Sequence, residues 1–496
     1  MGIPYYFYYL TKKYSNIIVR ELPKKINIYA IDFNGIIHPE AAKETNEEQL
    51  IINLWNKIND YNDLYKPDKL IICIDGVAPF AKIIQQRKRR YLSFYKNTID
   101  KTISKWDTNA ISPGTQFMNK LDDYINKNNQ NKYIFSGSNE AGEGEHKIFK
   151  ILNDIKDEIK DEIKDEIKDE IKDEKIIIIN GLDADLIILS LISGKNNIYL
   201  MRENKEQITY VNIDNLKLAI IAELEKKWCI ENTIDLIESY CVMCSILGND
   251  FIPHILNLNI KSGGLDKLLN ITEIAIRANG ALVENNKINQ KTLSDIFNLI
   301  AVNEDIEIID LINKEMEKKP RDFTLKSQEY GIKNKDQVLI DMFNNSKKWR
   351  YYYYKKLFDI NINSDSTSNA SNNYIKGIYW TYNYYKKFDL DYTWYYPYNY
   401  PPTVKDISNY LKVNIIEPIK LSGTYLQPKI QLLLILPIHS IDLIDKSSQK
   451  YMTDISFGLK YLYPSEYKIQ TLFKNHLWEC CPILPMINIE KIIKIK

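Results

Sequence analysis

Three short apolar runs constrain the fold of this 496-residue chain more than any other feature. Residues 26–38 (INIYAIDFNGIIH), 69–79 (KLIICIDGVAP) and 175–185 (KIIIINGLDAD) each lead to aspartate and glycine. Such runs are typical of strands that are buried on both faces of a parallel sheet. Helix-like segments lie between them, at 81–96 and 114–127. This alternation predicts an α/β fold, with a mostly parallel central sheet flanked by helices.

Acidic residues are found where these apolar runs end. Asp32 and Asp75 follow the first two runs, and Asp183 and Asp185 follow the third. Ligands of open α/β sheets bind beyond the carboxyl ends of the strands, so these carboxylates are predicted to face one crevice. The i,i+2 spacing of Asp183 and Asp185 puts both on one side if the chain there stays extended.

Two glycine-flanked segments supply further carboxylates. Residues 142–147 (GEGEHK) place Glu143 and Glu145 just before an apparent helix. Residues 248–254 (GNDFIPH) place Asp250 after an apolar, helix-like run. The glycines allow the backbone to approach a ligand closely. We therefore expect both segments to join the same crevice.

Seven carboxylates in one crevice predict bound cations. Like charges at close range repel each other unless positive charge lies between them. Oxygen ligands suit Mg²⁺ or Mn²⁺ rather than zinc. Two such ions about 4 Å apart can activate a water and stabilise the leaving oxygen of a phosphodiester. A single aspartate at a strand end is more often a cap or turn residue, so the prediction depends on clustering.

A basic helix is predicted directly after Asp75. In the segment AKIIQQRKRR, Lys82, Gln86, Arg89 and Arg90 fall within an arc of about 100° on a helix. This face suits a terminal phosphate, to which arginine can donate two hydrogen bonds at once. The alternative is a solvated basic helix, and the position beside Asp75 favours the phosphate pocket.

Aromatic residues are dense at 374–402, where they alternate with lysines. Such a pattern can stack unpaired bases without sequence preference, although core packing explains most of these rings. Trp380 and Trp394 are the stacking candidates in this block. His38, six residues beyond Asp32, is a third candidate.

Other segments carry no predicted chemistry. Five copies of IKDE at 155–174 predict a solvated helical spacer, or alternatively a helix that binds a partner. Residues 270–340 look helical, and 363–373 (NSDSTSNASNN) are predicted to form a disordered polar loop. Cys241 and Cys244 form a C-x-x-C in a helical-looking run, either as buried core thiols or as a metal or redox site.

Charge and hydropathy narrow the setting in which the protein acts. The net charge of +1 gives no global attraction to nucleic acid, so a polyanion site has to be local. The longest apolar run, 431–438, has about eight residues where a membrane span needs about twenty. The N-terminal segment lacks the flanks of a signal peptide. We expect an intracellular monomer that does not bind membranes, with the cytoplasm favoured over the nucleus.

The order of these motifs resembles the Xrn/Rat family of 5′→3′ exoribonucleases. The resemblance is carried in the first half by MGIP, IDFNGIIH, IDGVAPFAKIIQQRKRR, SPGTQFM, GEGEHKI, GLDADLIIL, GNDFIPH and SGGLDKLL. In the second half it is carried by WRYYYYKKLF, YIKGIYWTYNYY, TWYYPYNYPP and LWECCPILP. Both catalytic regions of the family are matched, and the chain resembles a minimal catalytic core of it.

The resemblance implies a domain plan and an activity. Residues 1–270 would form a PIN/FEN-like nuclease region, 271–345 a helical connection, and 346–496 a second, mixed α/β region that packs on the first and completes the entrance. The implied reaction is processive, Mg²⁺-dependent hydrolysis of single-stranded RNA with a 5′ monophosphate, as in RNA decay. Two ions are expected, and Mn²⁺ could replace Mg²⁺.

The resemblance also assigns roles to individual residues. The implied metal ligands are Asp32, Asp75, Glu143, Glu145, Asp183, Asp185 and Asp250. The implied pocket for the 5′ monophosphate is Lys82, Gln86, Arg89 and Arg90, and His38 matches a residue that stacks on a 5′ base. The chain departs from the family pattern at Phe80, where arginine is usual, and at Asn399 and Pro401, where histidine and alanine are usual.

Three other functions are consistent with parts of the pattern. A flap-type or DNA nuclease of related fold would share the acids but should lack the basic helix. A haloacid-dehalogenase-type phosphatase would have a second aspartate two residues after its nucleophile, where this chain has Asn34. A catalytically inactive RNA-binding scaffold would not need all seven acids.

Overall fold

The computed structural model describes residues 2–44, 46–101, 106–162, 175–181, 183–203, 207–318, 336–386 and 390–493. Within these ranges, seven strands form one sheet, β1 (Ile18–Val19), β2 (Ile28–Asp32), β3 (Lys69–Cys73), β4 (Ile134–Ser136), β5 (Ile177–Asn180), β6 (Ile198–Glu203) and β7 (Ile208–Asn212). Two short two-stranded ladders pair Val283–Glu284 with Lys287–Ile288, and Ile469–Gln470 with Cys481–Pro482.

Helices surround the sheet and make up most of the second half. Up to residue 250 they are Tyr6–Lys13, Asn34–Ala41, Glu47–Tyr65, Phe80–Asp100, Gln116–Asn129, Gly144–Glu162, Asp185–Ile192, Ile213–Trp228 and Thr233–Ser245. Beyond it they are Gly264–Asn279, Gln290–Ala301, Glu304–Glu317, Gln337–Asn344, Trp349–Leu357, Ser364–Lys386, Val404–Val413, Pro428–Ile435, Lys450–Thr453 and Ile489–Ile493. The predicted α/β class is therefore confirmed.

The strand order of the large sheet is β1-β7-β6-β5-β2-β3-β4. The neighbours β4, β3, β2, β5 and β6 run parallel, β7 pairs antiparallel with β6, and β1 pairs antiparallel with β7 at that edge. The chain proceeds from β2 to one side of the sheet through β3 and β4, and β5 then pairs with the other side of β2. Where the order reverses in this way, a crevice forms beyond the carboxyl ends of the strands.

The predicted apolar runs form the centre of this sheet. The three runs contain β2, β3 and β5, and the two predicted helices correspond to Phe80–Asp100 and Gln116–Asn129. Side chains of β2 alternate between two cores, Ile28 and Ala30 in one and Tyr29 and Ile31 in the other. This alternation follows from the period of two in a strand, with both faces covered by helices.

The prediction of a disordered polar loop at 363–373 is wrong. Residues 364–373 belong to the helix Ser364–Lys386, hereafter the tyrosine helix. Asn363 caps its start by accepting a hydrogen bond from the Ser366 N–H at 2.8 Å, and the Ser371 hydroxyl donates to the Thr367 carbonyl at 2.8 Å. Ala370 and Ser371 are buried. Tertiary packing thus overrides the weak helix propensity of serine and asparagine.

Two smaller predictions have different outcomes. Cys241 and Cys244 are unbridged and buried within the helix Thr233–Ser245, as expected for core thiols. Of the IKDE array, residues 163–174 lie outside the described residues, and the helix Gly144–Glu162 covers its beginning.

Across the described ranges, no helix combines the length and the apolarity that a membrane span requires.

Candidate active site

The seven predicted carboxylates come from five segments that meet at the carboxyl edge of the sheet. We call them the acid cluster, Asp32, Asp75, Glu143, Glu145, Asp183, Asp185 and Asp250. Asp32 is the last residue of β2, Asp75 lies two residues beyond β3, and Asp183 lies three beyond β5. The topology of the sheet therefore places the first three segments side by side.

The other two segments reach the cluster through helix ends. Glu143 and Glu145 flank the first residue of the helix Gly144–Glu162. Asp250 follows the helix Thr233–Ser245 after a turn at Gly248, whose φ is +85°. A Cβ at Gly248 would lie 2.5 Å from the His254 N atom, so the turn needs glycine on both counts.

Gly144 brings Asp32 and Asp75 together. Its N–H donates to Asp75 Oδ1 at 2.7 Å. A Cβ at this position would lie 2.7 Å from Asp32 Oδ1 and 3.4 Å from Asp75 Oδ1. Asn34 Oδ1 in turn accepts the Asp75 N–H at 3.0 Å. The two carboxylates thus crowd against a backbone that only glycine allows.

Asp185 does not continue an extended segment, so the condition under which it would share one side of a strand with Asp183 is not met. Ala184 has helical angles (φ −69°, ψ −21°), and Asp185 begins the helix Asp185–Ile192. Both residues nevertheless lie close enough to the other acids for their charges to interact. Asp185 also lies against the N-terminal segment, because a Cβ at Gly2 would be 2.4 Å from its Oδ1.

Lys82 lies among the carboxylates of the acid cluster. Its Nζ lies 2.6 Å from Glu143 Oε2 and 2.8 Å from Asp250 Oδ2, and the residue is 6% exposed. A buried ammonium group needs compensating charge, and these two carboxylates provide it. Lys82 therefore lies inside the acid cluster, and its predicted role in phosphate binding stays a prediction.

The electrostatics follow from burial and from mutual repulsion. Burial, and then the charge of Asp75, raises the pKa of Asp32 well above its usual value. Burial and the charge of Glu143 raise the pKa of Asp75 to about 6. Lys82 acts in the opposite direction on Asp250, whose pKa it holds well below the usual value despite burial. Like charges raise these pKa values and an opposite charge lowers them.

The same causes act on the acids that begin helices. Burial and the charge of Asp185 raise the pKa of Glu145 well above its usual value. Burial and the charge of Asp250 raise the pKa of Asp185 to about 7. Such raised pKa values are typical of carboxylates that a cation would stabilise in the ionised form.

Two buried oxygens of the cluster bear on the fit of a metal ion. Within the described ranges, Asp32 Oδ1 and Glu145 Oε2 have no hydrogen-bond partner. An unsatisfied buried carboxylate oxygen is costly, and a hard divalent cation would satisfy it. No three His, Cys, Asp or Glu side chains of the described part are yet grouped closely enough to hold one ion. The oxygen donors of the cluster fit a hard divalent cation, and their side chains would have to move closer together to hold it.

Two tyrosines that the sequence reasoning did not single out contact the cluster. Tyr384 donates a hydrogen bond to Glu143 Oε1, and Tyr385 donates to Asp185 Oδ1 at 3.0 Å. Both belong to the tyrosine helix in the second half of the chain. The available signal was the adjacent pair in YNYY, because a buried tyrosine hydroxyl needs an acceptor.

Arg89, Arg90 and His38 form a group beside the cluster. Arg89 is exposed, and Arg90 Nη2 donates to Ser112 Oγ at 2.6 Å. Burial, and next the charge of Arg89, lowers the pKa of Arg90 to about 10. His38 keeps surface open to solvent, yet the surrounding protein atoms and both arginines lower its pKa to about 4. Gln86 lies on the same helix as the two arginines, and its Oε1 is buried without a hydrogen-bond partner in the described ranges.

The predicted stacking role of Trp380 does not fit the structure. Trp380 is fully buried, its Nε1 donates to the Asp391 carbonyl at 2.8 Å, and its ring centroid lies 4.8 Å from that of Phe251. A ring enclosed in this way packs the core and offers no face to a base. The ring centroid of Trp394 lies 5.2 Å from that of Trp380, and the residue is 9% exposed, so its stacking role stays a prediction.

A cavity of about 400 Å³ opens beside the cluster. Asp250 and Arg89 both line it, together with Lys88 and Asn249. Its walls thus join the acidic and basic parts of the site.

Two family models and several known proteins match the chain. The family model described as XRN 5'-3' exonuclease N-terminus matches residues 1–204. The one described as Xrn1 helical domain matches 227–348 and 313–495. The chain is 25% identical to 5'-3' exoribonuclease 1 of Homo sapiens and 23% identical to 5'-3' exoribonuclease 1 of Saccharomyces cerevisiae, in both cases over 100% of this chain.

A third relative is the 5'-3' exoribonuclease 2 homolog of Drosophila melanogaster, 24% identical over 100% of this chain and 70% of that protein. The chain spans only 34% of the length of the human protein and 43% of the yeast protein. The matched part therefore corresponds to a portion of those two larger proteins.

Proposed function

Because the chain belongs to the family of XRN 5'-3' exonucleases, we propose that it is a divalent-metal-dependent 5′→3′ exoribonuclease. Its proposed substrate is single-stranded RNA with a 5′ monophosphate, and its proposed products are nucleoside 5′-monophosphates. The proposed role is RNA decay. The cytoplasm and a monomeric state remain predictions.

One observation carries this proposal. Seven carboxylates and an exposed arginine from the basic helix meet at one edge of the sheet, where the charge of Arg89 influences both Asp250 and His38. Arginine suits a terminal phosphate, and carboxylates suit the cations of phosphodiester hydrolysis. A phosphate site at a fixed position beside the cluster would set the length of the fragment removed in each cycle.

The side chains would act as follows. Arg89 and Arg90 would bind the 5′ phosphate, with Gln86 as an additional donor and the charge of Lys82 close by. His38, neutral at physiological pH because of its lowered pKa, would offer its ring to the first base. The seven acids would hold the metal ions, which supply an activated water and stabilise the leaving oxygen.

We also propose the domain plan of a nuclease region at 1–270, a helical connection at 271–345, and a second region at 346–496 that completes the site. Support comes from the contacts of Tyr384 and Tyr385, since both lie in the second region and both donate to acids of the first.

The test is degradation of 3′-labelled RNA that carries a 5′ monophosphate, triphosphate or hydroxyl, with Mg²⁺ and with EDTA. Rapid Mg²⁺-dependent loss of the monophosphate RNA alone, with release of mononucleotides, is the expected result. Internal cuts, or equal cleavage of all three RNAs, would indicate an endonuclease. Binding without any cleavage would indicate a scaffold.

Asp183→Ala is expected to abolish cleavage while RNA binding is retained, because the change removes one proposed metal ligand. Loss of a partner that merely supports a ligand costs about 10–100-fold, so loss of the ligand itself should exceed about 100-fold. Asp123→Ala, an exposed acid on the helix Gln116–Asn129, is the control for charge removal. Full activity in Asp183→Ala would refute the metal assignment.

A further inference from the structure

Three tyrosines near the end of the tyrosine helix each donate a hydrogen bond to a buried carboxylate. Tyr382 donates to Glu238 Oε2 at 2.5 Å, Tyr384 to Glu143, and Tyr385 to Asp185 at 3.0 Å. All three tyrosines and their three acceptors are buried. Of the three acceptors, Glu143 and Asp185 belong to the acid cluster and Glu238 does not.

The contacts at Tyr384 and Tyr385 join separate segments of the site. Adjacent residues project about 100° apart on a helix, so the two hydroxyls can reach two different acceptors. Glu143 precedes the helix Gly144–Glu162, and Asp185 begins the helix Asp185–Ile192. One rigid helix thus contacts acids that are far apart in sequence.

The ring of Tyr384 is fixed by its neighbours. Its centroid lies 3.9 Å from that of His146 and 5.0 Å from that of Trp380, with which it stacks. Phe251 meets it edge-on at 5.4 Å. The position of the hydroxyl is therefore set by packing and not by the hydrogen bond alone.

The tyrosine helix is anchored independently of the cluster. Lys386 Nζ lies 2.7 Å from Glu238 Oε1, and Tyr382 donates to the other oxygen of the same carboxylate. Removal of one hydroxyl from Tyr384 or Tyr385 would leave this anchor intact. Their hydrogen bonds to the acids are consequently separable from docking of the helix.

We propose that Tyr384 and Tyr385 are positioning residues whose hydroxyls orient Glu143 and Asp185 for a divalent cation. The second region thereby completes a metal site whose ligands all lie in the first. This inference rests on the proposed metal-dependent function. It assigns to the tyrosine helix a role beyond covering the core.

The physical reason is the orientation that a metal ligand needs. One carboxylate oxygen of Glu143 accepts the hydrogen bond of Tyr384, and the other lies 2.6 Å from Lys82 Nζ. The carboxylate plane is therefore fixed from both sides. Without the tyrosine hydroxyl the carboxylate would turn toward Lys82 alone. Partners that orient a metal ligand in this way contribute about 10–100-fold to metal affinity or activity.

The experiment compares three hydroxyl deletions in the full chain, Tyr384→Phe, Tyr385→Phe and, as the matched control, Tyr382→Phe. Binding of Mn²⁺ alone is measured by isothermal titration calorimetry on protein without RNA. We expect the Kd for Mn²⁺ to rise about 10–100-fold in the first two variants. The control should stay within about twofold of wild type, since Glu238 is outside the cluster and Lys386 still anchors the helix to it.

A second readout separates positioning from damage to the fold. With RNA present, the Mg²⁺ concentration for half-maximal rate should rise in Tyr384→Phe and Tyr385→Phe, and saturating Mg²⁺ should restore most of the rate. The KM for RNA should not change. Melting temperatures in EDTA should match that of Tyr382→Phe.

Several outcomes would overturn the inference. One is that Tyr384→Phe and Tyr385→Phe both bind Mn²⁺ as tightly as the wild type, and another is that Tyr382→Phe loses as much Mn²⁺ affinity as they do. The inference would also fail if the wild type did not bind Mn²⁺, or if Tyr384→Phe and Tyr385→Phe melted far below Tyr382→Phe. Failure of the proposed function is distinguishable, because a wild type that binds Mn²⁺ but does not degrade RNA leaves the metal-binding comparison intact.

Discussion

At the scale of single residues, Lys82 explains how the fold holds seven carboxylates close together. Its ammonium group contacts Glu143 and Asp250 at hydrogen-bonding distance, in a place hidden from solvent. It lowers the pKa of Asp250, while Asp32 and Asp185, which it does not contact, have raised pKa values. One buried cation thus compensates part of the cluster and leaves the rest in need of positive charge.

Gly144→Ala should reduce the rate of RNA degradation by about 10–100-fold. The new Cβ would lie 2.7 Å from Asp32 Oδ1, which is closer than real Cβ contacts, so the carboxylate must move. Misplacement of a reacting group by about 1 Å can cost about 100-fold in rate. Steady-state kinetics with 5′-monophosphate RNA measures the effect.

Gly35→Ala is the control for that substitution. Gly35 lies in the helix Asn34–Ala41, and a Cβ there would meet nothing within 4 Å. Its rate should equal that of the wild type, and alanine should favour the helix slightly. If Gly144→Ala were as active as Gly35→Ala, the close approach of Asp32 to the backbone would have no functional importance.

At the scale of elements, the helix Phe80–Asp100 serves two purposes at different points along its length. One side holds Lys82 within the acid cluster, and Arg87 donates from the same helix to the carbonyls of Leu462 (2.5 Å) and Pro485 (2.9 Å). Arg89, about two turns beyond Lys82 on the same helical face, remains exposed. The helix therefore fixes the distance between the acid cluster and the proposed phosphate site.

Arg89→Ala combined with Arg90→Ala should narrow the difference in rate between 5′-monophosphate and 5′-hydroxyl RNA by about 10-fold or more. A hydrogen bond to a charged group contributes about 1.5–3 kcal/mol, and only the phosphate RNA would lose it. The measurement is kcat/KM for both RNAs. Lys96→Ala, an exposed cation on the same helix, is the control. An unchanged difference in the double variant would contradict the phosphate pocket.

At the scale of the whole molecule, the two halves are held together by contacts that span hundreds of residues. The Ala78 N–H donates to Gln431 Oε1 at 3.0 Å, and the Phe80 N–H donates to the Tyr392 carbonyl at 3.1 Å. The connecting region participates through Glu304, which accepts hydrogen bonds from the N–H groups of Val404 and Lys405. These bonds hold the second half against the basic helix and the site.

Glu304 should make the stability of the fold depend on pH. Burial raises its pKa from 4.5 to about 7 in the folded protein. Between these values the folded state binds more protons than the unfolded state, so stability falls as pH rises. The side chain introduced by Glu304→Gln is neutral at every pH, so this variant does not lose stability in the same way as pH rises. The Tm of wild type relative to Glu304→Gln should therefore decrease from pH 4.5 to pH 7.

Thermal unfolding across that pH range tests the prediction. Glu317→Gln, an exposed position near the other end of the same helix, should show a constant difference from wild type. A constant difference in Glu304→Gln as well would mean that the buried carboxyl does not titrate in this window.

The sequence by itself determined the centre of the sheet and the part of the acid cluster that follows its strands. The apolar runs at 26–38, 69–79 and 175–185 can be buried on both faces only as inner strands. Their parallel pairing brings the acids that follow them to one edge. This inference needs only local pattern and the geometry of parallel sheets.

Only the tertiary structure decided which side chain meets which. The helical pattern of the basic segment predicted one face for Lys82 and Arg89, yet the fold buries the first among carboxylates and exposes the second. Trp380 and Tyr384 come from the same aromatic block, and one packs the core while the other contacts Glu143. Local periodicity sets the direction of a side chain along its own element. Its partner is set by elements that are far away in sequence, and these meet only when the chain is folded.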